Sequence, residues 1–128
     1  IIETLKMIRN QVVDPLFPKC PIRNVLSRIG DRWSLLVLLA LQDNEHPMRF
    51  RDLCKAIPDV SQKMLTSTLR ELEADDLVKR TAYPEVPSRV EYELTERGQS
   101  LIPLLNQLVD WSLENMEAIV KHRKEYSL

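Results

Sequence analysis

Five polar or cationic side chains between positions 62 and 70 recur at the spacing of one exposed helix face. They are Gln62, Lys63, Thr66, Ser67 and Arg70. Positions three and four apart lie on the same side of a helix, so these groups would share one surface. Lys and Arg can neutralise phosphates or reach guanine edges, Gln can pair with adenine, and short hydroxyls can bond to either. The pattern therefore indicates a face suited to double-stranded DNA.

The total charge gives this interpretation no support. The formal net charge is −1 and the pI is near 6.2, whereas DNA-binding domains usually carry a basic excess. Between positions 49 and 70, however, five basic residues outnumber two acidic ones, and acidic residues cluster just afterwards. A patterned surface and an ordinary mixed surface both fit these numbers.

Residues that could carry catalysis are scarce. His46 and His122 lie far apart, no cluster of His, Cys and carboxylates has ligand spacing, and two glycines cannot build a phosphate-binding loop. We therefore expect no enzyme activity, no metal and no cofactor. With 128 residues, no apolar run of about 20 residues and no signal-peptide pattern, we expect one soluble, cytoplasmic domain without a membrane contact.

The polar face requires a helix, and the surrounding sequence provides one. Ser61 is a good N-cap for a helix that runs to about Asp75. Its opposite side carries a buried stripe of Leu65, Leu69 and Leu72. A short helix at about 51–56 precedes it, and a connection as short as 57–60 makes two helices meet at a steep angle.

Other helices are predicted on both sides of this pair. Residues 1–13 carry an apolar stripe that must pack on the core or on another subunit. Residues 22–29 form a short helix closed by Gly30 as a left-handed cap. Asp31 then caps a helix over 32–41 that is apolar nearly all round, as expected of a central core helix.

Two runs after the polar helix favour a β-hairpin. Residues 77–83 and 89–94 are rich in strand formers, and a proline-stiffened tip joins them. Lys79, Arg80 and Arg89 on this hairpin could reach phosphates or the minor groove. For Lys79 and Arg80, plain exposure to solvent is an equally good interpretation.

The last helix is long for so small a domain. Thr95 can cap it, and about 25 residues from Glu96 would span about 38 Å. Part of its apolar stripe should therefore meet a second subunit. The residues expected there are Leu104, Leu108, Trp111 and Met116.

The amino-acid sequence resembles that of the HxlR family of bacterial winged helix-turn-helix regulators. The matching segments cover most of residues 20–112. They are 20–22 (CPI), 29–33 (IGDRW), 49–53 (RFRDL), 57–72, 78–92 and 94–98 (LTERG). Asp31-Arg32 departs from the more usual Gly-Lys pair but keeps a cap and a base.

The resemblance implies a mainly α fold with a small β-wing, a winged helix-turn-helix whose N- and C-terminal helices form a dimer interface. It also implies a homodimeric repressor or activator that places one helix per subunit in a major groove of a palindromic operator. We expect one domain over 1–128, with an N-terminal helix or arm (1–19), a DNA-binding core (20–95) and a C-terminal dimerisation helix (96–128). The DNA-binding residues expected are Ser61, Gln62, Lys63, Thr66, Ser67, Arg70, Lys79, Arg80 and Arg89.

The resemblance further implies that Cys20, in its Cys-Pro pair, can act as a redox or electrophile sensor. A thiol at a helix start, beside Lys19 and Arg23, is in surroundings that favour the reactive thiolate. Packing in the interior is the alternative, because cysteine is among the most buried residue types. Cys54 lies on an apolar helix side and is expected in the core.

Two further functions remain open from the sequence. A winged helix can serve only for protein contacts, which a near-neutral charge would permit. A small-molecule effector could instead enter an apolar pocket between Trp33, Trp111 and the dimer helices, although core packing also explains both rings. Salt dependence separates DNA binding from an apolar protein interface.

Overall fold

A computed structural model of the protein describes residues 26–27, 30–44 and 46–126. Its helices are α1 (Arg32–Gln42), α2 (Phe50–Ala56), α3 (Gln62–Ala74) and α4 (Glu96–Tyr126), and its strands are β1 (Val78–Tyr83) and β2 (Arg89–Leu94). The predicted mainly helical fold with a small antiparallel β-wing is confirmed. The helix predicted over 1–13 lies outside the described residues.

Three predicted N-caps are confirmed by their hydrogen bonds. The Asp31 carboxylate accepts from the backbone N–H of Ser34 at 3.0 Å. The Ser61 hydroxyl oxygen accepts from the N–H of Met64 at 3.0 Å. Thr95 accepts in the same way from the third residue of its helix, at 3.0 Å. A cap of this kind stabilises a helix by about 1 kcal/mol, which explains why α1, α3 and α4 begin where they do.

The cap predicted at Gly30 is wrong. Gly30 is helical and does not have a positive φ. The chain changes direction one residue later, at Asp31, whose backbone is extended with φ −78° and ψ 126°. Since an extended N-cap already redirects the chain, no left-handed residue is needed there.

The core forms around α1, as predicted for an apolar central helix. Val37 and Leu38 are fully buried at its centre, and α1 packs against α3, α4 and β2. The leucine stripe predicted on α3 is buried as well, with Leu65, Leu69 and Leu72 at most 2% exposed. Cys54 is half-buried and packs against this core.

The wing is tied to the helices at its base. β1 and β2 pair in a register that sets Val78 opposite Leu94 and Tyr83 opposite Arg89. Met48, in the connection between α1 and α2, exchanges two backbone hydrogen bonds with Tyr92 at 2.9 and 2.8 Å. The wing base is therefore fixed to the loop that precedes α2.

A tight turn joins α3 to β1. The N–H of Leu77 donates to the carbonyl of Leu72, and the N–H of Asp76 donates to that of Glu73, each at 3.0 Å. This is the Schellman pattern, and Asp76 adopts the left-handed conformation that it requires, with φ 59°. The hydroxyl of Thr95 donates to the Asp76 carbonyl at 2.6 Å. The start of α4 is thus fastened to the end of α3.

Gly98, in the first turn of α4, allows this close approach. A Cβ atom built there would overlap the carbonyl oxygen of Leu77 and would lie 3.1 Å from its carbonyl carbon. The obstacle is backbone, which cannot rotate away as a flexible side chain can. A residue without Cβ is therefore needed where α4 crosses the turn between α3 and β1.

We predict that Gly98→Ala lowers the free energy of unfolding by roughly 2–4 kcal/mol, because the new methyl group must displace backbone. Gly30→Ala is the matched control, since Gly30 is helical and has no atom within 4 Å of its built Cβ. The control should be neutral or stabilising by up to about 1 kcal/mol. Urea denaturation checks both, and equal stability of the two variants would contradict the close contact.

Candidate nucleic-acid interface

Helix α3 separates two kinds of side chain. Its inner side is buried, and besides the leucines it includes Thr68, which is 2% exposed. On its outer side the polar residues predicted from the spacing are exposed, apart from Thr66, which is half-buried. The exposed members are Gln62, Lys63, Ser67 and Arg70. The predicted division into a buried stripe and a polar face is confirmed.

The polar face lies along a shallow depression of about 710 Å³. All five α3 residues selected from the spacing line it, and two others join them. The lining residues are Phe50, Gln62, Lys63, Thr66, Ser67, Arg70 and Glu71. Phe50 comes from α2, just before the 51–56 range predicted for that helix, and it was not among the residues selected from the spacing. Nothing in the spacing along α3 could reveal a residue contributed by a neighbouring helix.

The two cations of the depression are available to an anionic ligand. Among the described residues, the ion pairs involve only Arg89 and Arg97 as bases, so neither Lys63 nor Arg70 is neutralised by a described carboxylate. Both side chains are exposed. A cation without a competing ion pair can form a charge-assisted hydrogen bond to a phosphate oxygen.

The hydroxyl groups of the face are partly engaged within the helix. Thr66 donates its hydroxyl hydrogen to the carbonyl of Gln62, four residues earlier, at 2.8 Å. Its oxygen can still accept. Ser61 already accepts from the N–H of Met64 as the N-cap, so it contributes to the start of α3 as well as to the predicted face.

The wing distributes its basic residues over two faces. Side chains alternate along a strand, and directly paired residues share a face. Arg80 pairs with Tyr92 on the face that includes buried Val78. Lys79 pairs with Glu93 on the opposite face. Both cations are exposed, but a single flat surface would not contact both.

Arg89 is held within the wing. Its guanidinium lies 4.0 Å from the centre of the Tyr83 ring. Nη2 lies 3.2 Å from a Glu85 carboxylate oxygen, and Nε lies 3.5 Å from one of Glu91. Two carboxylates therefore compensate this cation, so its predicted contact with DNA competes with interactions that it already makes.

A second surface is apolar and lies on α4. The helix has 31 residues, about 46 Å, and is longer than expected. Only Gly98, Ile102 and Leu105 are buried along it. The four residues predicted to meet a second subunit are all exposed: Leu104 by 58%, Leu108 by 49%, Trp111 by 58% and Met116 by 57%. These residues give α4 an exposed apolar side.

An apolar groove of about 370 Å³ runs between α1 and this part of α4. Leu35 and Leu39 line one side, and Leu108, Trp111 and Ile119 are among the residues of the other. The pocket predicted between two tryptophans thus includes Trp111, whereas Trp33 is not part of its lining. Trp33 instead packs against the core with the Arg32 guanidinium 4.3 Å from its ring centre.

The remaining predictions concern the cysteine sensor, metal binding and membrane spans. Cys20 lies outside the described residues. In the part of the chain that the structure describes, no three or more His, Cys, Asp or Glu side chains are grouped to hold a metal ion. The same residues include no helix with the length and apolar character needed to span a membrane.

Comparison with known proteins agrees with this geometry. The model of the HxlR-like helix-turn-helix family matches residues 28–120. An HTH-type transcriptional regulator of Methanothermobacter thermautotrophicus is 48% identical over 92 residues, which are 72% of this chain and 69% of that protein.

Two solved structures share the fold closely. The transcriptional regulator ytfH from Salmonella typhimurium is 37% identical with a TM-score of 0.75, and the match covers 88% of this chain and 98% of that one. The redox regulator HypR in its reduced form is also 37% identical, with a TM-score of 0.71, over 79% of this chain and 98% of its own.

Proposed function

The chain belongs to the HxlR-like helix-turn-helix family of transcriptional regulators, and on that premise we propose that it binds double-stranded DNA as a homodimer. The observation that carries the proposal is the depression along α3. Five residues able to contact phosphates and base edges converge there, and both cations are exposed without a described counter-ion.

In the proposed complex, α3 enters the major groove, whose width admits one helix. Lys63 and Arg70 neutralise phosphates or reach guanine edges, and Gln62 pairs with adenine. Ser61 and Ser67 add short polar contacts, whereas the hydroxyl of Thr66 can only accept, because its hydrogen is donated to the Gln62 carbonyl. At the wing, either Lys79 or Arg80, which lie on opposite faces, is a better donor to a flanking phosphate than Arg89, because Glu85 and Glu91 already compensate that cation.

Lys63→Ala and Arg70→Ala should each weaken binding to a duplex and flatten its salt dependence. Each neutralised phosphate releases counter-ions, so losing one contact should lower the slope of log affinity against log salt by about 1. Lys121→Ala is the matched control, since Lys121 is an exposed base near the far end of α4. Titration of a fluorescent duplex between about 50 and 200 mM salt measures the slopes.

Unchanged slopes in both α3 variants, or an equal change in Lys121→Ala, would contradict the proposed face. The same titration addresses a winged helix that serves only protein contacts. That alternative predicts duplex binding that is weak and insensitive to all three substitutions.

The proposed dimer uses the exposed apolar side of α4 together with the N-terminal segment. Beyond Leu105 the helix continues for 21 residues, to Tyr126, without a buried side chain. Burial against a second copy would remove this surface from water, at about 25 cal/mol for each Å² of apolar area. The groove between α1 and α4 lies on the same side, so a small-molecule effector is the competing occupant.

Trp111→Asp should shift the protein from dimer to monomer, because it places a charge in the proposed apolar interface. Trp111 is 58% exposed in the single chain, so the monomer itself should remain folded. Lys121→Gln is the matched control, because it changes the net charge by the same amount at an exposed position of the same helix, outside the groove lining. Sedimentation equilibrium checks the outcome. A dimeric Trp111→Asp variant, or a wild-type chain that stays monomeric at every concentration, would contradict this interface.

Control of binding through Cys20 is a second proposal, favoured by the similarity to the redox regulator HypR. A peroxide would transfer one oxygen atom to the Cys20 thiolate, giving a sulfenate while the peroxide is reduced to water. The added group and any disulfide formed from it would then change the affinity for DNA.

Peroxide should change the DNA affinity of the wild type and of Cys54→Ser by the same factor, and should leave Cys20→Ser unaffected. Cys54 is the matched control because it is half-buried against the core. The duplex titration with and without peroxide measures this. A response that persists in Cys20→Ser, or none in the wild type, would exclude this residue as the sensor.

A further inference from the structure

We propose that Phe50 and Thr66 form an apolar subsite that accepts the 5-methyl group of a thymine in the major groove. The proposal rests on the DNA binding proposed above and names a feature of the sequence that the protein would recognise. Neither residue's role follows from the cationic character of the α3 face. It follows from the ring of Phe50, which is the aromatic side chain among the described residues that line this depression.

The position of Phe50 is fixed by the first turn of α2. The N–H of Arg49 donates to the Asp52 carboxylate at 2.9 Å, and the N–H groups of Asp52 and Leu53 donate to the Arg49 carbonyl at 3.0 and 3.1 Å. Phe50 is the first residue of this helix and packs partly against the core. A half-buried ring held in this way presents a rigid apolar wall to the depression.

Thr66 adds to the apolar character of the same place. Its hydroxyl hydrogen is already donated to the Gln62 carbonyl, so it is not offered to a ligand. The side chain is half-buried, and its methyl group is what remains for contact with an apolar partner. Phe50 and Thr66 come from different helices and line one depression.

Thymine is the base whose chemistry fits this subsite. Among the four bases, only thymine presents a methyl group in the major groove. A donor or acceptor placed against the Phe50 ring would lose its water without gaining a hydrogen bond, which is unfavourable. Lys63 and Arg70 on the same depression supply the attraction to the neighbouring backbone. Shape, polarity and charge therefore favour a thymine beside the α3 contacts.

The test begins on the DNA, so that the protein is unchanged. A DNA duplex that the full chain binds is first identified. Each thymine of one half-site in this duplex is then replaced by deoxyuridine, which lacks only the 5-methyl group. Removing a buried methyl group should weaken binding about four- to fivefold at one position of that half-site. The other thymines should tolerate the change with little loss.

Variants of the protein then connect that position to the subsite. Phe50→Leu and Thr66→Ser should both reduce the discrimination between thymine and uracil at that position to less than about twofold. Thr66→Val is the matched control, because it keeps a methyl group and removes the hydroxyl. It should retain the wild-type discrimination. Circular dichroism and thermal unfolding establish that the variants are folded.

Three results would overturn the proposal. They are a selected half-site without thymine, equal affinity for every deoxyuridine duplex, and unchanged discrimination in both Phe50→Leu and Thr66→Ser. If the wild type binds no duplex at all, the proposed function has failed and the subsite falls with it. DNA binding without methyl discrimination contradicts the subsite alone.

Discussion

The relative placement of the two surfaces depends on one backbone contact, between Gly98 and the carbonyl group of Leu77. Thr95 strengthens this junction, since its hydroxyl accepts from the N–H of Gly98 and donates to the carbonyl of Asp76. Its backbone N–H donates to the carbonyl of Leu77 at 3.2 Å. The end of α3, the start of β1 and the start of α4 therefore meet at one point. A change of orientation there would move the polar face, the wing and the apolar helix relative to one another.

This junction connects two surfaces of different chemistry, the depression along α3 and the apolar side of α4. The depression along α3 carries two cations, whereas one exposed side of α4 is apolar, so the net charge of −1 does not reveal how different the two surfaces are. In the proposed dimer, α4 determines how far apart the two α3 helices lie. A palindromic operator requires that distance to match about 34–36 Å between half-sites. The rigid connection through Gly98 is the feature that would keep this spacing constant.

The sequence predicted the features that depend on local spacing and local hydrogen bonds. The α3 faces, the caps at Asp31, Ser61 and Thr95, and both strands are of this kind, because periodicity and side-chain chemistry determine them within a few residues. Features that depend on tertiary contacts were not predictable. No local pattern indicates that Phe50 lies beside α3, because that contact forms between two helices.

The ion pairs of Arg89 at the wing were also not predictable from local spacing. Glu85 and Glu91 are only four and two residues away in the chain, yet their approach depends on how the hairpin tip is folded.

The cap predicted at Gly30 was wrong because the conformation of a neighbouring residue could not be predicted. A glycine before a helix is compatible with a left-handed cap, but the conformation of the next residue decides whether one is needed.

The central claim, that this chain binds a specific duplex as a dimer through α3, is tested most directly by selecting bound sites from random duplexes at near-physiological salt. The account predicts enrichment of an inverted repeat whose half-sites are centred one helical turn apart or a multiple of it. Failure to enrich any sequence, or enrichment of a single site without inverted symmetry, would contradict it.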